Sequence, residues 1–563
     1  MYDMMERKFA NPEEVFADIK DGSVIASSGF NRAMAPEYLL EKLYDHYRET
    51  GHPKHLFFEF ETTTGMPGIG TDKVAKQIYE SGDTEFIDGM LIPFTGFSPW
   101  SAKLIQENIV EGYMWAIGVA ANWFREVAAG RPGLLTKVGL GIFMDPRDPD
   151  FQGGLMNERA RSRRRANVSL VHIDGEEYLL YRAPQPDVAF IRGTTSDEQG
   201  NISVEEEGAV TSVLSIAQAA KVRHRGTVIA QVKRITKCCS RPAKSIEVPG
   251  PLVDYVIKAP REVQWQTGSY EYHPAISGED YIPDLNEILM ESAKNMSPIE
   301  YVIARRAAIE LTDLMTKYGR TLVINLGIGI PVYTSIVLNQ EGLQNYVIGT
   351  VEPGAWGGVS LAGNDFGVAI SPSALIRMPD QFANYEGSII DAAVLGFMQV
   401  DPAGNVNASY LPGSVFTGPG GFPVIARGAP NLIFAGRFTA GKTDEYIRDG
   451  RIFVNRTDSE KIKFVRKIAL KVFSASEAMK QGQNVTYITE RGVFRLTSDG
   501  LLLTEVAPGI DIDRDILGMM EYEVRISDDL REMDPAIFDI SSRMNLRSRV
   551  ISEVTENVPI NGE

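Results

Sequence analysis

The sequence predicts an α/β protein built from two related open domains, each a mostly parallel sheet flanked by helices. Three observations carry that prediction. The chain repeats itself, short β-branched runs alternate with helical patterns, and 563 residues exceed one ordinary domain. Strands that alternate with helices pack as parallel sheets covered by helices.

The repeat is clearest in DVAFIRGTTSDEQGNIS from Asp187 and DAAVLGFMQVDPAGNVN from Asp391, an offset of 204 residues. Asp197 and Asp401, Gly200 and Gly404, Asn201 and Asn405, and Val228 and Leu432 all keep it. Each copy reads as an apolar strand, a D-x-x-G-N turn and a second apolar strand. Upstream, DGSVIASSGF (21–30) is similar to YGRTLVINLGIG (318–329). Matching Gly29 to Gly327 gives an offset of 298 there, so the first copy carries about 94 additional residues, including 100–165. Helical patterns follow both stretches, PEYLLEKLYDHYRE and YTSIVLNQEG. After the segment 276–298, Ser297-Pro298 marks the start of an amphipathic helix, SPIEYVIARRAAIELTDLM. The expected domains are therefore 1–290 and 298–563. Ligands in such sheets collect at the carboxyl ends of strands.

Composition narrows the function. The chain has 44% apolar and 23% charged residues, as soluble globular proteins do. Its net charge of −17 argues against a nucleic-acid partner. The one dense basic run, RARSRRRANV (159–168), reads as a solvated loop or helix face. Only two cysteines occur, the adjacent Cys238 and Cys239, so no disulfide framework or zinc spacing is present. A reducing, cytoplasmic location fits. The start MYDMMERKFANPEEVF has no apolar signal core. The longest apolar run, TLVINLGIGIPVYTSIVL, is broken by Asn325, Gly327, Gly329 and Pro331, which argues against a membrane span.

Four elements carry candidate chemistry. In TVEPGAWGGV (350–359), Pro353 pushes Glu352 towards an extended backbone, and Gly354 allows a sharp turn. Gly357 and Gly358 leave room for something to approach the backbone. The result is a carboxylate at a strand end above a glycine-lined space. In TGPGGF (417–422), Gly418, Gly420 and Gly421 can aim successive N–H groups into one concavity that suits an oxyanion. LGIGIP (326–331) follows a strand but lacks GxGxxG, so a dinucleotide cofactor is not expected. Lys442 in FTAGKTDEY stands at an expected loop-to-helix junction, where it can hold a phosphate or an amide. Taken singly, Glu352, the TGPGGF segment and Lys442 each read more readily as a turn or a surface residue. No HExxH, Walker loop or G-x-S-x-G elbow competes with them.

Together, and in the chain order LGIGIP, TVEPGAWGGV, TGPGGF and FTAGKTDEY, the four elements resemble the family I coenzyme A transferases of the fused single-chain acetate, propionate and 3-oxoacid type. Nearly the whole chain takes part, including DxxGNVN, PGLLTKVGLGIFMDPR, KSIEVPGPLVDYVI and APGIDIDRDIL. The resemblance implies one copy of the family's open α/β fold per half, alpha-like in 1–290 and beta-like in 298–563. It implies Glu352 as the nucleophile and the amides of Gly420 and Gly421 as oxyanion donors. It places Ile328, Gly329, Gly418, Phe422 and Lys442 along coenzyme A. CoA would be a substrate and a transient thioester, with no permanently bound cofactor and no metal. The implied partners are an acyl-CoA and a small carboxylic acid, with no nucleic acid, no membrane and a homo-oligomeric state of two or four chains.

The chain departs from the family at three places. The middle residue of E-x-G is Pro353. The glycine-rich stretch of the family's acid pocket is SGFNRAMAPE (28–37) here, so Phe30, Asn31 and Arg32 are the candidate acid-pocket residues. Asn31 or Arg32 is expected to touch a polar or second carboxyl group of the acid. The stretch YMWAIGVAANWF (113–124) lacks a Leu-Pro-Gln-Gly string. Two other readings remain: an acyl-CoA hydrolase on the same scaffold, and a silent CoA-binding subunit.

Overall fold

The computed structural model describes residues 8–292, 294, 296–414, 416–455 and 459–557. The first seven residues, part of the stretch read as lacking a signal core, lie outside that description. Among the described residues, no helix is long and apolar enough to cross a membrane, and no cluster of His, Cys, Asp or Glu is placed to hold a metal. The chain forms two compact units. One comprises 1–282, 351–383 and 409–424; the other comprises 283–350, 384–408 and 425–563. Two segments of the second half, 351–383 and 409–424, thus pack with the first.

The first unit's main strands are β1 (Val24–Ser27), β2 (Leu56–Phe60), β3 (Ile87–Leu91), β4 (Glu111–Tyr113), β5 (Val188–Asp197), β6 (Thr227–Thr236) and β7 (Tyr255–Lys258). They run parallel in the order β7-β6-β5-β1-β2-β3-β4. The strands VIAS and VAFIRGTTSD are buried throughout, as expected of a sheet covered on both faces. The additional residues of this half supply the edge strand β4, the helix Ile117–Ala128 and a separate three-stranded sheet made of Leu134–Thr136, Asn167–Ile173 and Glu176–Arg182.

The second unit contributes β8 (Leu322–Leu326), β9 (Val347–Thr350), β10 (Ala392–Leu395), β11 (Asn431–Ala435), β12 (Asn484–Ile488), β13 (Gly492–Thr497), β14 (Gly500–Val506) and β15 (Arg525–Glu532). Strands β9-β8-β10-β11-β12 are parallel. β13 and β14 continue the sheet antiparallel, and β15 lies parallel to β14. The helix Pro298–Tyr318 begins at a capping box. The Ser297 side chain accepts from the Glu300 N–H, and the Glu300 carboxylate accepts from the Ser297 N–H at 2.8 Å. Gly319, at φ 61°, ends the helix.

Each unit winds outward in both directions from its central strand, β1 or β8, which makes a topological switch point beside it. The register is the same in both. Ile25 pairs with Val188, as Ile324 does with Ala392. The Ser28 N–H donates to the Phe190 carbonyl, as the Gly327 N–H does to that of Val394. Ser28 therefore matches Gly327, and Gly29 matches Ile328. The upstream offset is 299, one more than the glycine alignment gave. The error came from matching two glycines with different tasks. Gly29 sits at φ 127° where a Cβ would strike Ala35, whereas Gly327 has no positive φ.

The two D-x-x-G-N turns are copies down to their hydrogen bonds. Asn201 N–H reaches Asp197 Oδ1 at 3.0 Å and Asn201 Nδ2 reaches Oδ2 at 2.9 Å; for Asn405 and Asp401 the distances are 2.9 and 2.8 Å. Each Asn Oδ1 then accepts one distant amide, from Gly250 at 2.8 Å and from Ala475 at 2.9 Å. The basic run is occupied with the chain's own groups: Arg159 donates to the Asn108 carbonyl, and Arg165 holds Asp88 and Glu111.

Candidate active site

Glu352 follows the end of β9. Glu352 and Pro353 are the central residues of a turn closed by the Gly354 N–H on the Val351 carbonyl at 2.9 Å. Gly354 has φ 118°, and a Cβ there would lie 1.8 Å from the Ile376 carbonyl oxygen, so only glycine fits. Gly357 and Gly358 do not open the backbone to a ligand, contrary to the sequence expectation. A Cβ on either would strike Ser373 Oγ or the Ile370 carbonyl, because the chain folds back as the hairpin Val359–Ser360 with Ala369–Ile370. The space those glycines leave is filled by their own hairpin.

Within the first unit, Glu352 meets the segment 417–421. The Gly421 backbone amide lies close enough to the Glu352 carboxylate to lower its pKa. A Cβ on Gly421 would lie 2.5 Å from Glu352 Oε2 and 3.0 Å from Phe382 Cζ. The residue is half-buried, but its carboxyl end is enclosed. Burial pushes its pKa up to about 7, partly offset by the Gly421 amide, and no charged side chain contributes.

The glycine segment is held by a loop that the sequence reading missed. The Gly420 N–H donates to the Pro93 carbonyl at 3.2 Å, the Thr95 N–H to the Thr417 carbonyl at 2.8 Å, and the Ile117 N–H to the Gly420 carbonyl at 2.9 Å. Thr63 Oγ1 donates to the Phe94 carbonyl and Thr95 Oγ1 to that of Phe416. Gly418, at φ 78°, packs on Pro93 and Phe94. This corrects one expectation: the Gly420 amide is committed to Pro93, and the amide facing the carboxylate is that of Gly421. Phe422 opens the helix Phe422–Gly428. The only hint of the Pro93–Thr95 loop in the sequence is the turn-rich string PFTGFSP.

Asn31 and Arg32 stand at the first unit's switch point. Arg32 does not wait for an acid. Its guanidinium pairs with buried Glu37 at 3.0 Å, donates to the Glu262 carbonyl at 2.8 Å and lies over the Trp265 ring. The expectation that it touches substrate is overturned by that pairing. Asn31 Nδ2 donates to the Phe366 carbonyl at 2.9 Å, while its Oδ1 is buried without a partner. Phe30 packs its ring against Phe366, with centroids 5.9 Å apart. Glu61, a further acid missed in LFFEFETTTG, is fully buried here. It accepts the Gly29 N–H at 2.6 Å and the Ser212 N–H at 2.9 Å, and burial pushes its pKa up to about 7.

In the second unit, Ile328 and Gly329 stand at the equivalent strand end. Ile328 is 51% exposed. Gly329 has φ 80° with no atom near its missing Cβ, so backbone conformation rather than space demands glycine. Lys442 is exposed, but no helix follows it. The residues after it form the strand Asp444–Arg448, paired in a hairpin with Arg451–Asn455. That pairing outweighs the helix signal, and the argument from a helix terminus lapses.

Comparison with known proteins gives the family. Residues 9–259 match the family model "Coenzyme A transferase". A caffeate CoA-transferase of Acetobacterium woodii is 36% identical over 543 residues, covering 94% of this chain and 97% of that protein. An acetate CoA-transferase of Escherichia coli K12 is 34% identical over 500 residues, 89% of each. The crystal structure of an acyl-CoA transferase from Escherichia coli O157:H7, solved as a thioester complex with CoA, superposes with a TM-score of 0.82 at 32% identity over 95% of this chain and 97% of that one. With relatives this similar over nearly its whole length, the chain belongs to the coenzyme A transferase family and is an enzyme that transfers CoA.

Proposed function

We propose that Glu352 is the nucleophile of a ping-pong transfer of CoA from an acyl-CoA to a carboxylic acid. The observation that carries this is the Glu352 carboxylate held against the Gly421 amide in surroundings that raise its pKa to about 7. The ionised carboxylate attacks the thioester carbonyl, and CoA thiolate leaves a mixed anhydride. The thiolate then attacks the glutamyl carbonyl and expels the first acid, which leaves a glutamyl-CoA thioester. The incoming acid reverses both steps, so no net proton or electron is exchanged. When thiolate attacks the glutamyl carbonyl, negative charge develops on a Glu352 oxygen. The Gly421 amide beside the carboxylate is the group assigned to stabilise it. Ile328, Gly329, Gly418, Phe422 and Lys442 are assigned to CoA binding. CoA serves as substrate and passing thioester, with no resident cofactor. We assign the halves 1–290 and 298–563 as alpha-like and beta-like copies, on the strength of their shared register and duplicate turns. A cytoplasmic homo-oligomer of two or four chains completes the proposal.

The test is intact mass after mixing with acyl-CoA. A gain of CoA minus water is expected, and it should be missing in Glu352→Ala. An adduct that persists in the variant sinks the assignment. A hydrolase is separated from a transferase by following CoA release without any acceptor acid.

A further inference from the structure

The surroundings of Glu352 in the first unit are apolar and aromatic. The tip of buried Phe382 stands beside Gly421. Ile117, 2% exposed, is tied through its N–H to Gly420 and stands where the family's polar string is missing. Phe94 is half-exposed. Its Cδ2 lies 3.6 Å from the position of a Cβ on Gly420, and its ring packs at 5.9 Å against Phe97, also half-exposed. Four arginines of the first unit already hold carboxylates: Arg32 with Glu37, Arg125 with Asp380, Arg192 with Glu207 and Arg377 with Glu247. Among the described residues no cation acts on Glu352. A second carboxylate on the substrate would be desolvated in these apolar surroundings, away from any cation acting on Glu352, which is costly. A ring there gains edge or offset contacts with Phe94 and Phe97.

We propose that the acid activated here is a monocarboxylate with an apolar, ring-sized acyl group, and that Phe94 sets this preference. The inference rests on the reading of Glu352 as the nucleophile. It is tested by the rate at which the CoA adduct appears, by rapid-quench mass spectrometry, with butyryl-, benzoyl-, 3-phenylpropanoyl- and succinyl-CoA as donors. Loading from the 3-phenylpropanoyl thioester is expected to exceed loading from succinyl-CoA by about tenfold or more, the scale of leaving a polar group unpaired. In Phe94→Ala the ratio of 3-phenylpropanoyl to butyryl loading should fall about two- to tenfold, the scale of one aromatic contact. In Phe94→Leu, which keeps apolar bulk beside Gly420, it should fall less. Succinyl-CoA loading as fast as the aryl donor, or a ratio unmoved in both variants, overturns the proposal while Glu352 stands. Absence of an adduct with every donor overturns the Glu352 reading and this proposal with it.

Discussion

Gly354 and Gly421 differ in what a methyl group would strike. At Gly354 it meets a backbone carbonyl at a φ that side chains rarely adopt. Gly354→Ala should therefore cost about 1–3 kcal/mol or more in thermal unfolding. At Gly421 it meets side-chain ends rather than backbone, the Glu352 carboxyl group and the tip of the Phe382 ring. Gly421→Ala should keep its melting temperature within a few degrees yet slow adduct formation by about a hundredfold, the usual consequence of a reacting group displaced by an ångström. The charge state of Glu352 sets a second expectation. Only its ionised form attacks, and burial raises its pKa to about 7. The rate of adduct formation should rise with pH and reach half its plateau near pH 7. A rate already flat from pH 5 upwards would show that the carboxyl is not held in this way. Glu352, Pro353 and Gly354 were legible because a turn and a carboxylate are local facts. The Pro93–Thr95 loop that holds the glycine segment was not, because backbone bonds between 93–95 and 416–420 leave no mark on residue type.

At the level of elements, the paired D-x-x-G-N turns show what makes a feature readable. Aspartate, glycine and asparagine each have a task inside five residues, so identity and spacing survive together. The asparagine also accepts an amide far along the chain, which the sequence did not reveal. Asn201→Ala and Asn405→Ala should each cost about 1–3 kcal/mol by denaturant unfolding, because the aspartate and the distant amide both lose a partner. Similar losses in the two variants are expected from the similar geometry. The wrong helix after Lys442 has the opposite origin: the residue types of DEYIR do not alternate, and its strand is set by pairing with Arg451–Asn455, which no local signal reports.

Over the whole molecule, the α/β class and the two-copy architecture were readable because strand registers in the two units follow the repeat. The interleaving of 351–383 and 409–424 with the first unit was not, since no periodicity reports where a segment packs. Burying acids in a chain of net charge −17 also couples stability to pH. Glu61 is raised to about 7 when folded, so the folded state holds its proton more tightly than the unfolded chain. Its contribution is fully present below the ordinary carboxylate range and fades as pH climbs to about 7, by up to about 3–4 kcal/mol. In Glu61→Gln the fall in unfolding free energy between pH 4.5 and 7.5 (about three units) should be shallower than in the parent; equal slopes would refute the account. The matched positions Gly29 and Ile328 carry a broader lesson. One strand-end amide is occupied by an internal carboxylate, and its counterpart begins an exposed turn. After duplication the two copies have thus come under different rules of inheritance. A substitution profile averaged over the halves would describe neither, and each aligned site has to be read in its own copy.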